Sequence, residues 1–270
     1  MKFEVRNGCF AYKGGREILK NISFTVEGGK LLAILGANGI GKTTLLKCMM
    51  GLLRWTCGRS LIDGKDISGL PPQKIWQKIA YIPQAKLSKF AFTGLEMALM
   101  GRSAHLGAFE QPKDKDIAVA ENALEEIGVS HLRNKRCNQM SGGELQMVFI
   151  ARALAVEPRL MILDEPESGL DFRNQLIILE LLDRLVHEKK LSAVINTHYP
   201  AHAMKIADHT LMLAKQGRYF YGRTGDIINI DNMRSAFDVN VLVNSVEIEG
   251  RQYDDIIPMS VVWPASDSVR

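Results

Sequence analysis

Gly36-Ala37-Asn38-Gly39-Ile40-Gly41-Lys42-Thr43 is the stretch on which the reading of this chain turns. Leu31-Leu32-Ala33-Ile34-Leu35 precedes it, a short apolar run with the character of a buried strand. Thr44-Leu45-Leu46-Lys47-Cys48-Met49-Met50 follows, with the residue types of a helix. Strand, glycine loop and helix in this order make a P-loop. Glycines let the backbone curl until successive N–H groups converge on phosphate oxygens at the positive end of a helix dipole. Lys42 then reaches the β- and γ-phosphates, and the Thr43 hydroxyl is placed to ligate Mg²⁺. The stretch predicts a nucleoside triphosphate as ligand.

A second cluster stands at Leu160-Met161-Ile162-Leu163-Asp164-Glu165. Four apolar residues put a strand in the core, and two carboxylates emerge at its C-terminal end, where α/β sheets place their ligands. Asp164 is positioned to hold Mg²⁺, directly or through water, and Glu165 to polarise the water that attacks a γ-phosphate. Between the two clusters lies Met140-Ser141-Gly142-Gly143-Glu144, opening a helix expected over Leu145 to Ala155. Taken alone it reads as a helix cap. Beside a P-loop it is a second anion cradle, which makes sense if it faces a nucleotide held by another copy.

Composition narrows the class. A chain of 270 residues suits one sizeable domain or a core domain with a smaller subdomain, and 46% hydrophobic residues are enough to bury a real core. No apolar run approaches the roughly 18 residues that span a bilayer. Met1-Lys2-Phe3-Glu4-Val5-Arg6 lacks the apolar stretch of a secretion signal. The net charge of +4 is mild and comes without a basic run, so no nucleic-acid partner is expected. Cys9, Cys48, Cys57 and Cys137 are scattered without metal-ligand spacing and are expected as free or buried thiols in a reducing cytosol.

Along the chain, Phe3-Glu4-Val5 and the alternating Asn21 to Val26 read as strands, with turns at Gly14-Gly15 and Gly28-Gly29. Leu61-Ile62-Asp63-Gly64 and Ile79 to Pro83 add two short strand candidates. From about Ala85 to Ala155 the character is helical, and Ile117, Ala120, Leu124 and Ile127 recur at three- and four-residue spacing. The Leu160 strand, a helix over Asn174 to Lys190 and a strand over Ser192 to Asn196 return the pattern to α/β with a largely parallel sheet. Phe237 to Pro258, with Val239, Val241 and Val243, reads as a small strand-containing appendix.

In combination and order these motifs resemble the ATP-binding-cassette ATPases over nearly the whole chain. Four more positions fit the family. Tyr12 stands where an aromatic ring stacks on adenine, and Gln84 stands where a glutamine touches Mg²⁺ and links the core to a helical subdomain. Ser168-Gly169-Leu170-Asp171 stands in the loop lining the dimer interface, and His198 in the place of the switch histidine at the γ-phosphate. The resemblance implies an α/β fold with a P-loop NTPase core and mainly parallel sheet, an N-terminal antiparallel β lobe and an inserted α-helical subdomain. It divides the chain into a nucleotide-binding core with β lobe (1–84 and 156–236), a helical subdomain carrying the signature segment (85–155) and a small C-terminal tail (237–270). The implied nucleotide contacts are Tyr12, Gly36, Asn38, Gly39, Gly41, Lys42, Thr43, Thr44, Ser141, Gly142 and Gly143. Thr43, Gln84 and Asp164 are the implied Mg²⁺ contacts, and Glu165, His198 and Gln84 the implied catalytic residues.

The same resemblance implies ATP and Mg²⁺, a head-to-tail pair of copies, and a groove near Gln84 that receives a helix of a multi-helix transmembrane permease. The chain would then sit at the cytoplasmic face of the inner membrane, with an extracytoplasmic binding protein as an indirect partner. Leu99-Met100-Gly101-Arg102-Ser103-Ala104-His105-Leu106-Gly107 and the tail pattern Phe237 to Pro258 look like those of importers of ferric siderophores, haem, cobalamin and related metal chelates. Molybdate-type oxyanion importers share this architecture, and a non-transport cassette acting on a soluble macromolecule stays open. Several residues depart from the common pattern. Met140 and Glu144 replace Leu and Gln, and Glu167 and Gly169 replace Thr and Ala. A Glu144 carboxylate aimed into the site would oppose a γ-phosphate, so it is expected to point away.

Overall fold

The computed structural model describes residues 1–84, 91–107 and 109–263. The start of the helical stretch expected from Ala85 (85–90) and the end of the expected tail (264–270) lie outside the described residues.

The chain begins with β1 (Phe3–Ala11) and β2 (Glu17–Val26), an antiparallel pair, then enters the core through β3 (Leu31–Leu35). Helix α1 (Lys42–Met49) leads to β4 (Cys57–Ile62), the two-residue β5 (Lys65–Asp66), helix α2 (Pro72–Trp76) and β6 (Ile79–Ile82). Helices α3 (Gly94–Leu99), α4 (Asp114–Glu126) and α5 (Gly142–Leu154) follow, separating β6 from β7 (Leu160–Asp164). Helix α6 (Phe172–His187), β8 (Ser192–Asn196), α7 (Pro200–Ile206), β9 (His209–Leu213) and β10 (Tyr219–Arg223) complete the core. Helices α8 (Thr224–Ile227) and α9 (Ile230–Phe237) lead to a hairpin of β11 (Val239–Ile248) and β12 (Arg251–Val261).

The strands form a four-stranded antiparallel sheet in the order β2-β1-β4-β5 and a six-stranded sheet in the order β10-β9-β3-β8-β7-β6. The larger sheet is parallel except at β9–β10. All five residues of β3, β7 and β8 are buried, as expected of strands covered on both faces. Alternation along β3 splits the core in two. Leu31, Ala33 and Leu35 join the apolar cluster under α3 to α6, while Leu32 and Ile34 join the one shared with α1 and the antiparallel sheet.

The segment Leu99 to Gly107 is a clasp within the helical part. Arg102 is buried, donating from Nε to Asp116 (3.2 Å) and from Nη1 to the Ala155 carbonyl and to Glu157 (both 2.8 Å). His105 Nε2 lies 2.8 Å from the Val156 carbonyl. Gly101 makes the close approach possible, because a Cβ there would run into the Arg152 carbonyl oxygen and press on the Ala155 methyl at 3.1 Å.

The expectation for the cysteines is corrected in part. Antiparallel register sets Cys9 opposite Cys57 with Cα atoms 5.0 Å apart, and the two form a disulfide. No spacing rule reveals a pair made by sheet register across 48 residues. Cys48 and Cys137 are free and buried, and burial pushes the Cys48 thiol up to about 12. Among the described residues no helix is long and apolar enough to cross a membrane.

Gly101→Ala forces the 100–107 segment off α5. The expected cost is about 1–3 kcal/mol of stability, read as a lowered melting temperature. An unchanged melting temperature would mean that the segment yields freely at this point.

Candidate active site

The parallel order β3-β8-β7-β6 puts four loops side by side at the C-terminal edge of the sheet. The glycine loop leaves β3, His198 follows β8, Glu165 follows β7 and Gln84 follows β6. In register, Asn196 faces both Ile34 and Asp164, so the loops start from a common level. Ligands of open α/β sheets bind at this edge.

Gly36, Asn38, Gly39 and Gly41 form the loop. Gly41 is the N-cap of α1 with φ 113°, and a Cβ there would lie 2.6 Å from Ile18 Cγ2, so only glycine serves. Lys42 is 5% exposed, and its ammonium folds back onto the Gly36 (2.8 Å) and Ala37 (3.3 Å) carbonyls. Burial pulls its pKa down, opposed by the charges of Glu165 and Asp164. A cation already desolvated and aimed into a glycine loop is prepared to trade carbonyls for phosphate oxygens.

Asp164 is buried at the end of β7. The Thr43 hydroxyl donates to its carboxylate (3.2 and 3.4 Å), the Tyr81 hydroxyl donates at 3.3 Å, and Asn196 Nδ2 makes a short hydrogen bond to the other oxygen. Burial, then the Asp164 charge, raises the Tyr81 pKa, so its hydroxyl stays a donor. Tyr81 and Asn196 are site residues that motif reading missed. Their signal was present: Asn196 is the polar end of an apolar strand parallel to the Leu160–Asp164 run.

Glu165 occupies the left-handed region (φ 50°), a conformation that costs a non-glycine residue of order 1 kcal/mol and that clusters at functional sites. Its N–H donates to the Asn196 carbonyl at 2.9 Å. Gln84 Nε2 donates to Glu165 Oε2 at 3.2 Å and to Ser168 Oγ at 3.3 Å, while His198 Nδ1 lies 3.8 Å from the same Glu165 oxygen. The Thr43 hydroxyl and the Asp164 carboxylate meet, and with the Gln84 amide oxygen they would offer an all-oxygen donor set that suits a hard divalent cation.

Tyr12 is half exposed above the loop, 3.4 Å from the Thr44 hydroxyl through its own, with its ring edge-on to Phe10. That leaves an open aromatic face for a base. Ser141, Gly142 and Gly143 are not brought to this cluster. Ser141 caps α5 in a reciprocal box with Glu144, and Gly143 packs against Asn174 so closely that a Cβ would meet it at 2.7 Å. Among the described residues no hydrogen bond or ion pair joins these three to Lys42, Thr43 or Asp164. Glu144 turns to Lys135 (2.8 Å), whose hydrogen bond, with the Ser141 N–H, lowers its pKa, in keeping with a carboxylate directed away from a phosphate.

A glycine loop opening a helix beside a strand-terminal carboxylate is the mark of a P-loop ATPase, and the fold and site place the chain in that class. The sequence profile of the family described as ABC transporter matches residues 19–168. The chain is 34% identical over 255 residues to the molybdate import ATP-binding protein MolC of Haemophilus influenzae, covering 94% of this chain and 95% of that protein. It is 36% identical over 239 residues to an iron chelatin transport ATP-binding protein of Helicobacter pylori, covering 88% and 93%. Its structure matches a chain of a metal-chelate type ABC transporter in an inward-facing conformation with TM-score 0.86 and 33% identity, over 96% and 97%. The chain belongs to the ABC transporter family as an ATP-binding protein and is an ATPase.

Lys42→Ala removes the ammonium that answers the phosphate charge. ATP affinity, measured by titration calorimetry, is expected to fall by more than about tenfold. Unchanged affinity would displace the glycine loop from the binding site.

Proposed function

We propose that the chain is the nucleotide-binding subunit of an importer that takes up a metal chelate of the ferric siderophore, haem or cobalamin class. One observation carries the catalytic part of this reading. The Glu165 carboxylate is held between the Gln84 amide and the His198 imidazole, one residue beyond the carboxylate that Thr43 bonds. The cargo class is supported by the likeness to the metal-chelate type transporter and to the iron chelatin relative. A molybdate-type oxyanion is the second reading, supported by the likeness to MolC along almost the whole chain.

In this reading Tyr12 stacks on adenine, the loop N–H groups and Lys42 hold the phosphates, and Thr44 adds a hydroxyl. Thr43, Asp164 and Gln84 would hold Mg²⁺, which would supply positive charge against the phosphates. Glu165 accepts a proton from the attacking water and His198 steadies the γ-phosphate. Ser141, Gly142 and Gly143, which no hydrogen bond or ion pair joins to the chain's own loop among the described residues, serve in this reading the nucleotide of a second copy arranged head to tail. Tyr81 and Asn196 keep Asp164 aimed. The chain docks on a multi-helix transmembrane permease at the cytoplasmic face of the inner membrane. An extracytoplasmic binding protein acts through that permease.

Glu165→Gln keeps the shape of the site and loses the base. Binding of ATP is expected to persist while hydrolysis slows by roughly 10²–10⁴. The variant should then collect as an ATP-bound dimer on a sizing column, and a monomer in saturating ATP would contradict the paired arrangement. Affinity purification of the chain from detergent-solubilised native membranes tests the transport reading. A stoichiometric many-helix membrane protein supports it, whereas a ribosomal, DNA-bound or purely soluble partner removes it.

A further inference from the structure

Glu167 carries a carboxylate in a place where the chain has no evident need of one. It is 1% exposed, two residues beyond Glu165. Its Oε1 accepts a short hydrogen bond from the Thr197 hydroxyl, and His202 Nδ1 lies 3.4 Å from the same atom. Oε2 is buried without a hydrogen-bond partner. Taking a carboxylate out of water costs several kcal/mol, and an oxygen left unpaired adds to that cost. An apolar side chain of similar volume would fill the space without the penalty. Stability of the fold is therefore not what Glu167 contributes.

What it does contribute is visible in its two partners, which flank His198 in the chain. Thr197 is fully buried, its N–H bonded to the Ile34 carbonyl in β3 at 3.1 Å. Its hydroxyl gives its proton to Glu167 and accepts the Tyr199 N–H at 3.1 Å, spanning the His198 peptide from both sides. His202, in the first turn of α7, donates its N–H to the Tyr199 carbonyl at 3.1 Å. The Tyr199 ring lies between the two imidazoles, with centroids 4.0 Å from His198 and 4.6 Å from His202. One buried oxygen thus anchors the residue before His198 and the second imidazole against the Tyr199 ring. Hydrogen bonds that share one buried acceptor tie the groups they join to a common point.

We infer that Glu167 and His202 form a positioning pair that holds the His198 loop against Glu165, so that the two side chains meet the reacting phosphate in a set geometry. The inference rests on the proposed roles of Glu165 and His198. Among the described residues no hydrogen bond or ion pair joins Glu167 or His202 to the nucleotide loop. Removing the pair therefore leaves binding of ATP and displaces the reacting groups, and displacement by about 1 Å can cost on the order of 10²-fold in rate.

The test is steady-state hydrolysis of Mg-ATP by the full chain. Glu167→Ala is expected to lower kcat by about 10- to 100-fold with KM for ATP within about twofold. Glu167→Gln keeps an oxygen acceptor for Thr197 and His202 and is expected to recover kcat to within about threefold of the parent. A Glu167→Ala/His202→Ala double variant is expected to be no slower than Glu167→Ala alone, because both changes break one unit. In ¹⁵N-histidine spectra of the nucleotide-free chain, the His198 ring signals should move in Glu167→Ala and hold in Glu167→Gln. Parent-like kcat in Glu167→Ala overturns the inference, as does Glu167→Gln falling as far as Glu167→Ala. If Glu167→Ala does not fold, His202→Ala decides in the same way, a parent-like kcat overturning the pair. Glu165→Gln, run in parallel, separates the two readings. Full activity there removes the catalytic assignment itself, while an inactive Glu165→Gln with a fully active Glu167→Ala removes only the positioning pair.

Discussion

The register of β3, β8 and β7 constrains the rest of the structure. Asp164 is level with Asn196, and Asn196 is level with Ile34, the last residue but one before the glycine loop. These strands are buried on both faces, so a slip of one residue would exchange the residues packed under α3 to α6 with those packed against α1. The sheet core resists that slip with the full weight of its apolar burial. Consequently the distance between the glycine loop and the strand-end carboxylates is set by packing far from any phosphate. The side chains of the site only have to finish an alignment that the backbone has already made.

Finishing it requires charges in poor solvent. Lys42 and Asp164 are both buried, and each is kept by different means. Lys42 borrows two backbone carbonyls of its own loop, partners that phosphate oxygens could replace on the ammonium. Asp164 takes its bonds from Thr43, Tyr81 and Asn196, three groups on three different elements. The first arrangement is exchangeable and the second is fixed. That asymmetry suits a site in which a ligand's phosphates enter and leave while the strand-end carboxylate stays in place.

The fold was legible where one physical requirement dominates a short stretch. Buried parallel strands need apolar runs, and Leu31–Leu35, Leu160–Leu163 and Ala193–Ile195 are such runs, so all three strands were found. Strands β9 and β10 were not, although Gly217 separates them. β9 lies between β3 and β10, and β10, the edge strand, is half buried from Tyr219 to Gly222 with no alternation to read. Side-chain partnerships across elements were invisible for a different reason. That Tyr81 bonds Asp164, that Cys9 faces Cys57 and that Glu144 turns to Lys135 depend on register and helix phase rather than on any local spacing. The Leu99–Gly107 segment was legible as a pattern, but its physical content, a buried guanidinium closing α4 onto the end of α5, was not.

One run of the chain, Asp164 to Asn174, touches every part of this arrangement. Asp164 meets Thr43, Tyr81 and Asn196; Glu165 meets Gln84 and His198; Glu167 meets Thr197 and His202. Further along, Ser168 shares Gln84 with Glu165, Leu170 covers Gly142, and Asp171 caps α6 through Asn174, on which Gly143 packs. A displacement of α5 at its glycine end therefore presses on the same short segment that carries the carboxylates, with no intermediary element. Residues joined in this way do not contribute independently. Substitutions at Glu167, Ser168 and Asn174 should couple to one another and to Glu165, whereas substitutions at Tyr12, whose side chain meets Thr44 and Phe10, should add to them without interaction.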